Sequence, residues 1–531
     1  MIIVGGVAGG MSAATRLRRL NEQAEIVVVE RSGYVSFANC GLPYHVGGVI
    51  EQRRSLLLQT PESLAARFNL DVRVHTEAVS IDREQCVAHL RHVETGETEA
   101  LGYDRLILSP GARPVRPPLP GIERALSLRD IEDTDAMVAA TEGAATAAVI
   151  GGGFIGVEMA ENLLHRGLNV ALIEAADQVM APLDPEMVGP VHKLMRESGI
   201  DLRLRTSVTS IGPDSVTLDD GSTIPADLVV AAIGVRPDTA LADQAGLRVD
   251  RGIVVDEFHR TSDPLIYAVG DAVEKVDALD QSQVLVPLAN TANLQGRRVA
   301  DHIAGQPGRG RGVLGTAIVG VLGLQIAATG WNEKRLREAG RPYRAIHTHP
   351  ATHATYYPGA DDLDLKLLVD PETDAILGAQ AVGRSGADKR IDVIATAITG
   401  GLTASDLADL ELAYAPQFSS AKDPVNMLGH IADNLRTGTS HTIQWHEVDG
   451  TRPLVDVRTP KEYADGSIPG AINIPVDSLR ERLDELPNGD LIVYCAVGVR
   501  GHTAARLLSQ HGRTVANLDG GYRTWSSAQL D

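Results

Sequence analysis

Residues 147–156 of this chain have the sequence AAVIGGGFIG, and they decide the fold. The apolar run predicts a buried strand, the glycines a tight turn, and the residues that follow, through Leu164, a helix. In that setting the first glycine makes the turn, the second lets the backbone approach a pyrophosphate, and the third packs helix on strand. Free N–H groups and the helix dipole favour an anion at this point. The stretch therefore predicts a dinucleotide site, with contacts from Gly151, Gly153, Ile155 and Gly156.

The next predicted strand, residues 170–173, ends in Glu174. A carboxylate there can accept hydrogen bonds from both ribose hydroxyls of the dinucleotide. An acid at this position disfavours a 2′-phosphate, so the pattern predicts NADH, with NADPH left open.

The N-terminus repeats this plan. Residues 1–4 (MIIV) predict a strand, 5–10 (GGVAGG) a turn, Met11 to Leu20 a helix, and 26–29 a strand that ends in Glu30. Val7 stands where the second glycine would fall. The later stretch 267–272 (YAVGDA) returns to this domain, and Asp271 suits a contact to the ribityl and pyrophosphate region of a flavin. These features predict a second dinucleotide site, suited to a flavin, with contacts from Gly5, Val7, Ala8, Gly9, Gly10, Glu30, Gly270 and Asp271.

A chain of 531 residues exceeds the size of a single core and should form several domains. We predict an α/β protein with two nested Rossmann-like domains. The first dinucleotide-binding domain covers residues 1–110 and 240–315, and the second covers 111–239. An α+β domain follows at 316–436, a linker rich in Thr, Ser and Gly at 434–441, and a compact α/β module at 442–531.

Composition limits the setting in which the chain works. A net charge of −20 argues against nonspecific nucleic-acid binding, and an anionic substrate would need local Lys or Arg. Three cysteines cannot build a disulfide framework, which favours a reducing cytoplasm. The longest apolar stretch, 316–329, is interrupted by glycine and is shorter than the roughly 18–20 residues of a membrane span. We expect a cytoplasmic protein without a membrane partner, and no metal site is predicted.

The paired nucleotide motifs resemble the two-dinucleotide-binding-domain flavoproteins over roughly residues 1–436. The loops 109–114 (SPGARP) and 233–237 (IGVRP) look like the linking loops of that family. The resemblance implies FAD at the first site and NAD(P)H at the second. It also implies that the domain at 316–436 forms the interface of a homodimer.

Cys40 defines the subclass. It lies in residues 36–44 (SFANCGLPY) and has no second cysteine four residues away. A lone redox cysteine must cycle through a sulfenic acid, a mixed disulfide or a persulfide. The stretch resembles that of coenzyme A-disulfide reductases, which implies a catalytic Cys40, whereas NADH oxidases usually have another residue before the Cys-Gly pair.

A coenzyme A-type substrate would account for a basic cluster on the first helix. Arg16 and Arg19 share one helix face and offer two cations to phosphates, although such clusters are often plain solvated faces. The resemblance implies coenzyme A contacts from Ser12, Arg16, Arg19, Ser36, Asn39, Asn293 and Lys422. It also implies that Tyr356 and Tyr414 are active-site phenols that reach Cys40 of the other subunit. Because Tyr357 adjoins Tyr356, that assignment could shift by one residue.

The second reactive cysteine is Cys495, which opens the loop 495–501 (CAVGVRG) between a predicted strand and a helix starting near Thr503. Loop N–H groups, the helix N-terminus and Arg500 would stabilise a thiolate or a bound persulfide. Together with 454–458 (LVDVR) and 466–475 (GSIPGAINIP), the loop resembles a rhodanese domain, which implies sulfane-sulfur transfer by Cys495.

Two rival activities share that fold. A cysteine phosphatase needs an arginine six positions after the cysteine, where this chain has Gly501, and inactive regulatory modules usually lack the cysteine. Ser467 stands where many rhodaneses have His. Cys86 lacks such surroundings and is expected to be structural.

Taken together, the motifs and the resemblances predict an NADH-dependent flavoprotein disulfide reductase fused to a rhodanese domain. Its expected substrates are coenzyme A persulfide, polysulfide and coenzyme A disulfide. Three alternatives stay open: an NADH oxidase, a strict coenzyme A-disulfide reductase for thiol balance, and a redox-sensing binding protein. Asn39 and the Arg16/Arg19 pair favour a substrate the size of coenzyme A over O₂, and the complete hydride path disfavours a mere sensor. Whether Cys495 relays sulfur to Cys40 is left open.

Overall fold

A computed structural model describes residues 1–308 and 310–529, and its internal contacts divide the chain into two units. Unit 1 comprises Met1–Val179 and Gly199–Gly315, and unit 2 comprises Met180–Ser198 and the chain from Thr316 onward. Among the described residues, no helix is long and apolar enough to cross a membrane. The four domain boundaries drawn from the sequence remain predictions.

The first sheet of unit 1 is parallel and five-stranded. Its strands, in spatial order, are Ile266–Ala268, Leu106–Leu108, Ile2–Val4, Val27–Val29 and Asp71–Arg73. The helix after the first strand covers Ala8–Leu20, so it begins three residues before its predicted start, directly after the glycine turn. It packs on a second helix, Ala289–Ile303, at Gly296, where an added Cβ would lie 2.2 Å from the carbonyl oxygen of Gly9. This close crossing holds the first glycine turn in place.

The second sheet of unit 1 is parallel and four-stranded, in the order Asp201–Arg203, Asn169–Ile173, Thr146–Ile150 and Leu228–Ala231. Two antiparallel sheets accompany the parallel ones, Thr76–Asp82/Val87–His92/Thr98–Gly102 and Val208–Ile211/Ser215–Leu218/Thr223–Pro225. Two short strand pairs are Ala112–Pro114/Val235–Pro237 and Lys275–Val276/Gln283–Val284. The remaining α-helices of this unit are Leu42–Val46, Pro61–Phe68, Ile131–Thr141, Phe154–His165 and Ala240–Gln244.

Unit 2 contains an antiparallel five-stranded sheet, in the order Ala317–Val321, Leu324–Gly330, Ile376–Gly383, Leu363–Val369 and Arg344–Thr348. The strand Leu363–Val369 is buried throughout, because the helices Ala387–Gly400 and Pro424–Arg436 contribute to the same apolar core. Two more helices, Pro185–Glu197 and Glu333–Glu338, belong to this unit.

The C-terminal module of unit 2 has a parallel sheet in the order Thr442–Ile443, Val515–Leu518, Leu491–Tyr494, Leu454–Asp456 and Ile472–Asn473. Its central strand is apolar and buried along its length, as expected for a strand covered on both faces. The helices of the module are Pro460–Ala464, Val499–Gln510 and Gly521–Ser527. The predicted helix start near Thr503 is wrong, because Gly498, with φ of 94°, closes the loop and lets the helix begin at Val499.

Candidate functional site

The glycine turn at residues 151–156 has the geometry that a pyrophosphate site requires. An added Cβ at Gly156 would lie 1.8 Å from the carbonyl oxygen of Gly151, so the helix packs too closely for any side chain there. Gly153 has no atom within 4 Å of the place where its Cβ would be, which leaves the backbone open to a ligand. This turn leads into the helix Phe154–His165, so the residues fit a bound dinucleotide.

The N-terminal turn shows the same packing. A Cβ at Gly10 would lie 1.9 Å from the carbonyl oxygen of Gly5, so the third glycine is needed even though Val7 replaces the second. Val7 immediately precedes the helix, whose first residues are Ala8 and Gly9. This turn therefore also fits a dinucleotide.

The two acids that follow the strands after the glycine turns have a role that the sequence did not reveal. The Glu174 carboxylate accepts hydrogen bonds from the N–H of Gly152 (2.6 Å) and of Ala176 (2.7 Å). Glu30 accepts in the same way from the N–H of Gly6 (2.8 Å) and of Ser32 (3.0 Å). Each acid thus holds its own glycine turn; ribose binding by Glu174 and a cofactor contact from Glu30 remain predictions.

The segment that carries Asp271 is anchored on both sides. The N–H of Gly270 donates to Gln295 Oε1 at 2.8 Å, and Lys275 Nζ donates to the carbonyl oxygen of Gly270 at 2.8 Å. Burial raises the pKa of Asp271, although Lys275 opposes the shift. Burial also lowers the pKa of Lys275 to about 8, against the opposing effect of Asp271. The arrangement fixes a carboxylate beside the first nucleotide turn, as a flavin site would need.

Cys40 lies in the single-turn segment Asn39–Gly41, just before the helix Leu42–Val46, and is exposed. Partial desolvation raises the pKa of its thiol, and the charges of Glu158 and Asp271 raise it further. Glu158 accepts a hydrogen bond from Tyr44 Oη at 2.9 Å, and burial raises the pKa of Glu158 itself. These four residues form what we call the Cys40 group. The sequence analysis missed Tyr44 and Glu158, although Glu158 follows the second glycine turn by two residues.

Neutralising Glu158 should make Cys40 more acidic. In the variant Glu158→Gln, we expect the pKa of the Cys40 thiol to fall, because one of the negative charges that oppose the thiolate is removed. The pH dependence of Cys40 alkylation by iodoacetamide in the reduced holoenzyme measures the shift. Glu22→Gln is the control, since Glu22 is an exposed acid of the same unit and does not act on Cys40, Tyr44 or Glu158. Equal alkylation profiles for the wild type and Glu158→Gln would contradict the expectation.

Four of the predicted coenzyme A contacts lie on the helices Ala8–Leu20 and Ala289–Ile303. Ser12 Oγ donates to Asn293 Oδ1 at 2.5 Å, and Arg16 forms an ion pair with Asp301 at 2.6 Å. Arg19 is exposed and lies over the Phe68 ring at 5.0 Å. The charge of Arg16 is therefore already partnered, which leaves Arg19 as the more available cation of the predicted pair. Ser36 is tied to the first turn through its N–H, which donates to the carbonyl oxygen of Gly6 at 2.8 Å, and Asn39 is exposed beside Cys40.

In unit 2 the two predicted phenols meet. Their hydroxyl oxygens are 2.8 Å apart, while Tyr356 is 74 % exposed and Tyr414 47 % exposed. This hydrogen bond raises the pKa of Tyr356. Tyr357 instead sets its ring edge-on to His353, so the geometry favours Tyr356 as the partner of Tyr414. Lys422 belongs to the same unit and is exposed.

Cys495 is buried at the end of the central strand of the C-terminal module. The helix Gly521–Ser527 is hydrogen-bonded to the loop that begins at Cys495. The N–H of Tyr522 donates to the carbonyl oxygen of Cys495 at 2.8 Å, and that of Arg523 donates to Ala496 at 2.9 Å. Arg500 is bound to Glu462 at 2.6 Å, and this hydrogen bond, with a smaller contribution from Cys495, raises the pKa of the guanidinium. The sequence did not indicate Glu462.

Comparison with known proteins matches these parts to families. The sequence model for the pyridine nucleotide-disulphide oxidoreductases matches residues 1–296, more than half of the chain, and that for their dimerisation domain matches residues 316–424. The chain belongs to the pyridine nucleotide-disulphide oxidoreductase family. A rhodanese-like domain matches residues 441–528.

The chain is similar to three known proteins over most of its length. A coenzyme A disulfide reductase of Staphylococcus aureus strain JH9 is 34 % identical over 440 residues, which are 81 % of this chain and 99 % of the relative. The crystal structure of reduced Bacillus anthracis CoADR-RHD has a TM-score of 0.98 at 48 % identity, covering 99 % of this chain and 97 % of that one. A NAD-dependent persulfide reductase from A. fulgidus has a TM-score of 0.93 at 38 % identity, covering 99 % of both chains.

These similarities confirm the predicted fold class and the predicted resemblance to coenzyme A-disulfide and persulfide reductases with a fused rhodanese domain. The chain is an oxidoreductase, and its family implies binding of FAD and NAD(P)H. The open glycine turns and the anchored Asp271 fit both groups.

Proposed function

We propose that this chain is an NADH-dependent flavoprotein that reduces coenzyme A persulfide, polysulfide and coenzyme A disulfide through Cys40. The observation that carries the proposal is the Cys40 group. It presents one exposed thiol, with no disulfide among the three cysteines of the chain, in the unit that holds both nucleotide turns. A single thiol suits a substrate that itself brings a sulfur–sulfur bond.

The chemistry at Cys40 then follows from a balanced exchange. The thiolate of Cys40 attacks the coenzyme A-bound sulfur of the persulfide, the sulfur–sulfur bond breaks, and hydrosulfide leaves with its electron pair. When held at the two glycine turns, NADH and FAD would supply two electrons, and with these the mixed disulfide yields the Cys40 thiolate and coenzyme A thiolate. With coenzyme A disulfide, the first leaving group is coenzyme A thiolate instead of hydrosulfide.

Other residues of the chain serve binding and proton transfer in this scheme. Arg19, Ser12 and Asn293 provide a polar surface for the coenzyme A body. The phenols of Tyr356 and Tyr414 hold a proton for the leaving thiolate, and we place them opposite Cys40 of the second subunit in a homodimer. The dimerisation-domain match at residues 316–424 supports that assembly.

In the rhodanese-like domain we assign Cys495 the role of a sulfane-sulfur carrier. Its loop joins a buried cysteine to the helix Val499–Gln510, and the free N–H groups there favour a persulfide anion. We propose that Cys495 collects sulfur from an external donor and passes it on to coenzyme A, so that the two cysteines act in sequence.

The test is anaerobic NADH oxidation by the purified holoenzyme, with coenzyme A persulfide, polysulfide and coenzyme A disulfide compared and O₂ supplied in a parallel run. We expect the fastest turnover, with release of sulfide, for the persulfide and polysulfide. The S. aureus relative supports a second candidate, a strict coenzyme A-disulfide reductase. Dominant turnover of coenzyme A disulfide would favour that candidate, and dominant O₂ consumption would reject both.

A further inference from the structure

The cation beside Cys495 is not free. Arg500 Nη1 donates to Glu462 Oε2 at 2.9 Å, and Nη2 donates to Oε1 at 2.6 Å, which makes a two-point ion pair. The two side chains are about one-third exposed, at 36 % for Arg500 and 35 % for Glu462. Two parallel hydrogen bonds of this kind fix the orientation of a guanidinium as well as neutralise it.

The Glu462 carboxylate also accepts hydrogen bonds from Thr459. Thr459 donates to Glu462 Oε2 through its N–H at 2.9 Å and through its hydroxyl at 2.8 Å. The hydrogen bond from Arg500, with those from Thr459, lowers the pKa of Glu462 to about 2. Glu462 is therefore a fixed negative charge at neutral pH, and the pair it forms with Arg500 carries no net charge.

This neutrality matters because sulfane donors differ in charge. A loop with an unpaired arginine would attract a dianion such as thiosulfate more strongly than a monoanion, since the Coulomb energy scales with the ligand charge. With Glu462 in place, that preference is removed, and the loop N–H groups remain to receive the transferred sulfur.

We propose that Glu462 determines donor specificity at Cys495, by cancelling the charge of Arg500 so that the site favours organic donors of low charge over inorganic dianions. This inference rests on the proposed role of Cys495 as a sulfur carrier. It narrows the external donor to the class of organic persulfides and thiosulfonates.

The transfer can be written for two donors that differ by one charge. With thiosulfate, the Cys495 thiolate attacks the terminal sulfur, the sulfur–sulfur bond breaks, and sulfite leaves with the electron pair. With ethanethiosulfonate, the same attack releases ethanesulfinate. In both cases Cys495 becomes a persulfide anion, and cyanide then removes the outer sulfur as thiocyanate and restores the thiolate.

The experiment uses the variant Glu462→Gln, which removes the charge. It keeps one acceptor oxygen for Arg500 Nη1 and Thr459, while an amide nitrogen replaces the oxygen that accepts from Arg500 Nη2. The rate of thiocyanate formation gives kcat/KM for each donor. The measurements use a Cys40→Ser background, so that Cys40 cannot contribute to sulfur transfer. Because the energy scales with donor charge, we expect kcat/KM to rise about threefold for ethanethiosulfonate and about tenfold for thiosulfate. The thiosulfate gain should shrink in high salt.

Glu485→Gln is the matched control. Glu485 forms the same kind of two-point ion pair with Arg482, at 2.7 and 2.6 Å, in the same module. Removing the charge of Glu485 should leave kcat/KM unchanged for both donors. If Glu462→Gln changes kcat/KM by the same factor for both donors, or for neither, Glu462 does not determine donor specificity, although Cys495 still carries sulfur. If the Glu462-intact protein transfers sulfur from neither donor, the carrier role of Cys495 fails and this inference fails with it.

Discussion

Replacing Cys40 by serine is expected to lower NADH-dependent reduction of coenzyme A persulfide and coenzyme A disulfide by about a thousandfold or more. A serine hydroxyl is far less acidic than a thiol and cannot form the mixed disulfide, so the exchange step is lost. The glycine turns that fit the nucleotides do not involve the thiol, so the variant should keep its flavin. Anaerobic NADH consumption and the visible flavin spectrum measure the two effects separately.

Cys86→Ser is the control for this loss. Cys86 is half-buried beside an apolar core of unit 1, and its Sγ lies 3.7 Å from the carbonyl oxygen of Arg83. The sequence predicts a structural role for Cys86, so turnover should stay close to that of the wild type. Substantial turnover in Cys40→Ser would show that another group reduces the sulfur substrates.

The sequence predicts well those features that local chemistry enforces. Gly156 and Gly10 are glycines because their helices pack against the preceding turn, and a Cβ at either would collide with a carbonyl oxygen. The strand Asn169–Ile173 lies where residues 170–173 were predicted to form one, because that apolar run is buried in a core. Features of this kind depend only on residues that are close in the chain, or on the general tendency of apolar residues to be buried.

Contacts between residues that are far apart in the chain cannot be predicted in this way. Glu462 precedes Arg500 by 38 residues and Glu158 follows Tyr44 by 114, and nothing in the local pattern of either acid indicates its partner. The sequence therefore showed Arg500 as a free cation, whereas the fold pairs it. The same limit explains why Arg16 was predicted without its partner Asp301, 285 residues away.

A cluster of buried charges in unit 2 is the largest feature of this kind. Lys366 is fully buried and forms ion pairs with Asp184 at 2.8 Å, with Glu333 at 2.6 Å and with Glu186. His347 links Glu186, at 3.0 Å, to Asp519 of the C-terminal module, at 2.6 Å. Burial alone would lower the pKa of His347, but Asp519 and Glu186 raise it to about 9. The three carboxylates could hold a metal ion by their spacing, but the Lys366 ammonium is already bound among them.

Replacing Lys366 by methionine should therefore destabilise unit 2 by about 3–5 kcal/mol, because three buried carboxylates lose their shared cation. Urea unfolding followed by tryptophan fluorescence measures this, since Trp331, Trp445 and Trp525, the three tryptophans of the chain, all belong to unit 2. The bound flavin reports unit 1 in the same samples. Lys389→Met is the matched control, because Lys389 is one-third exposed and its partner Asp423 keeps Arg390, so the expected loss is under about 1 kcal/mol.

The pH dependence of the Lys366→Met variant separates lost charge pairing from lost packing. In the wild type, burial opposes ionisation of Glu186 and Glu333, but Lys366 overcomes it and holds the pKa of each below its ordinary value. The stability they provide is thus present at neutral pH and is lost only as the pH falls through those depressed values. Without Lys366 their pKa values rise, so the variant binds protons at higher pH and its stability falls less on acidification. The stability gap between wild type and variant should narrow as the pH falls from 7 to about 5. A gap that stays constant over this range would mean that the lost packing of the lysine stem, and not its charge, accounts for the destabilisation.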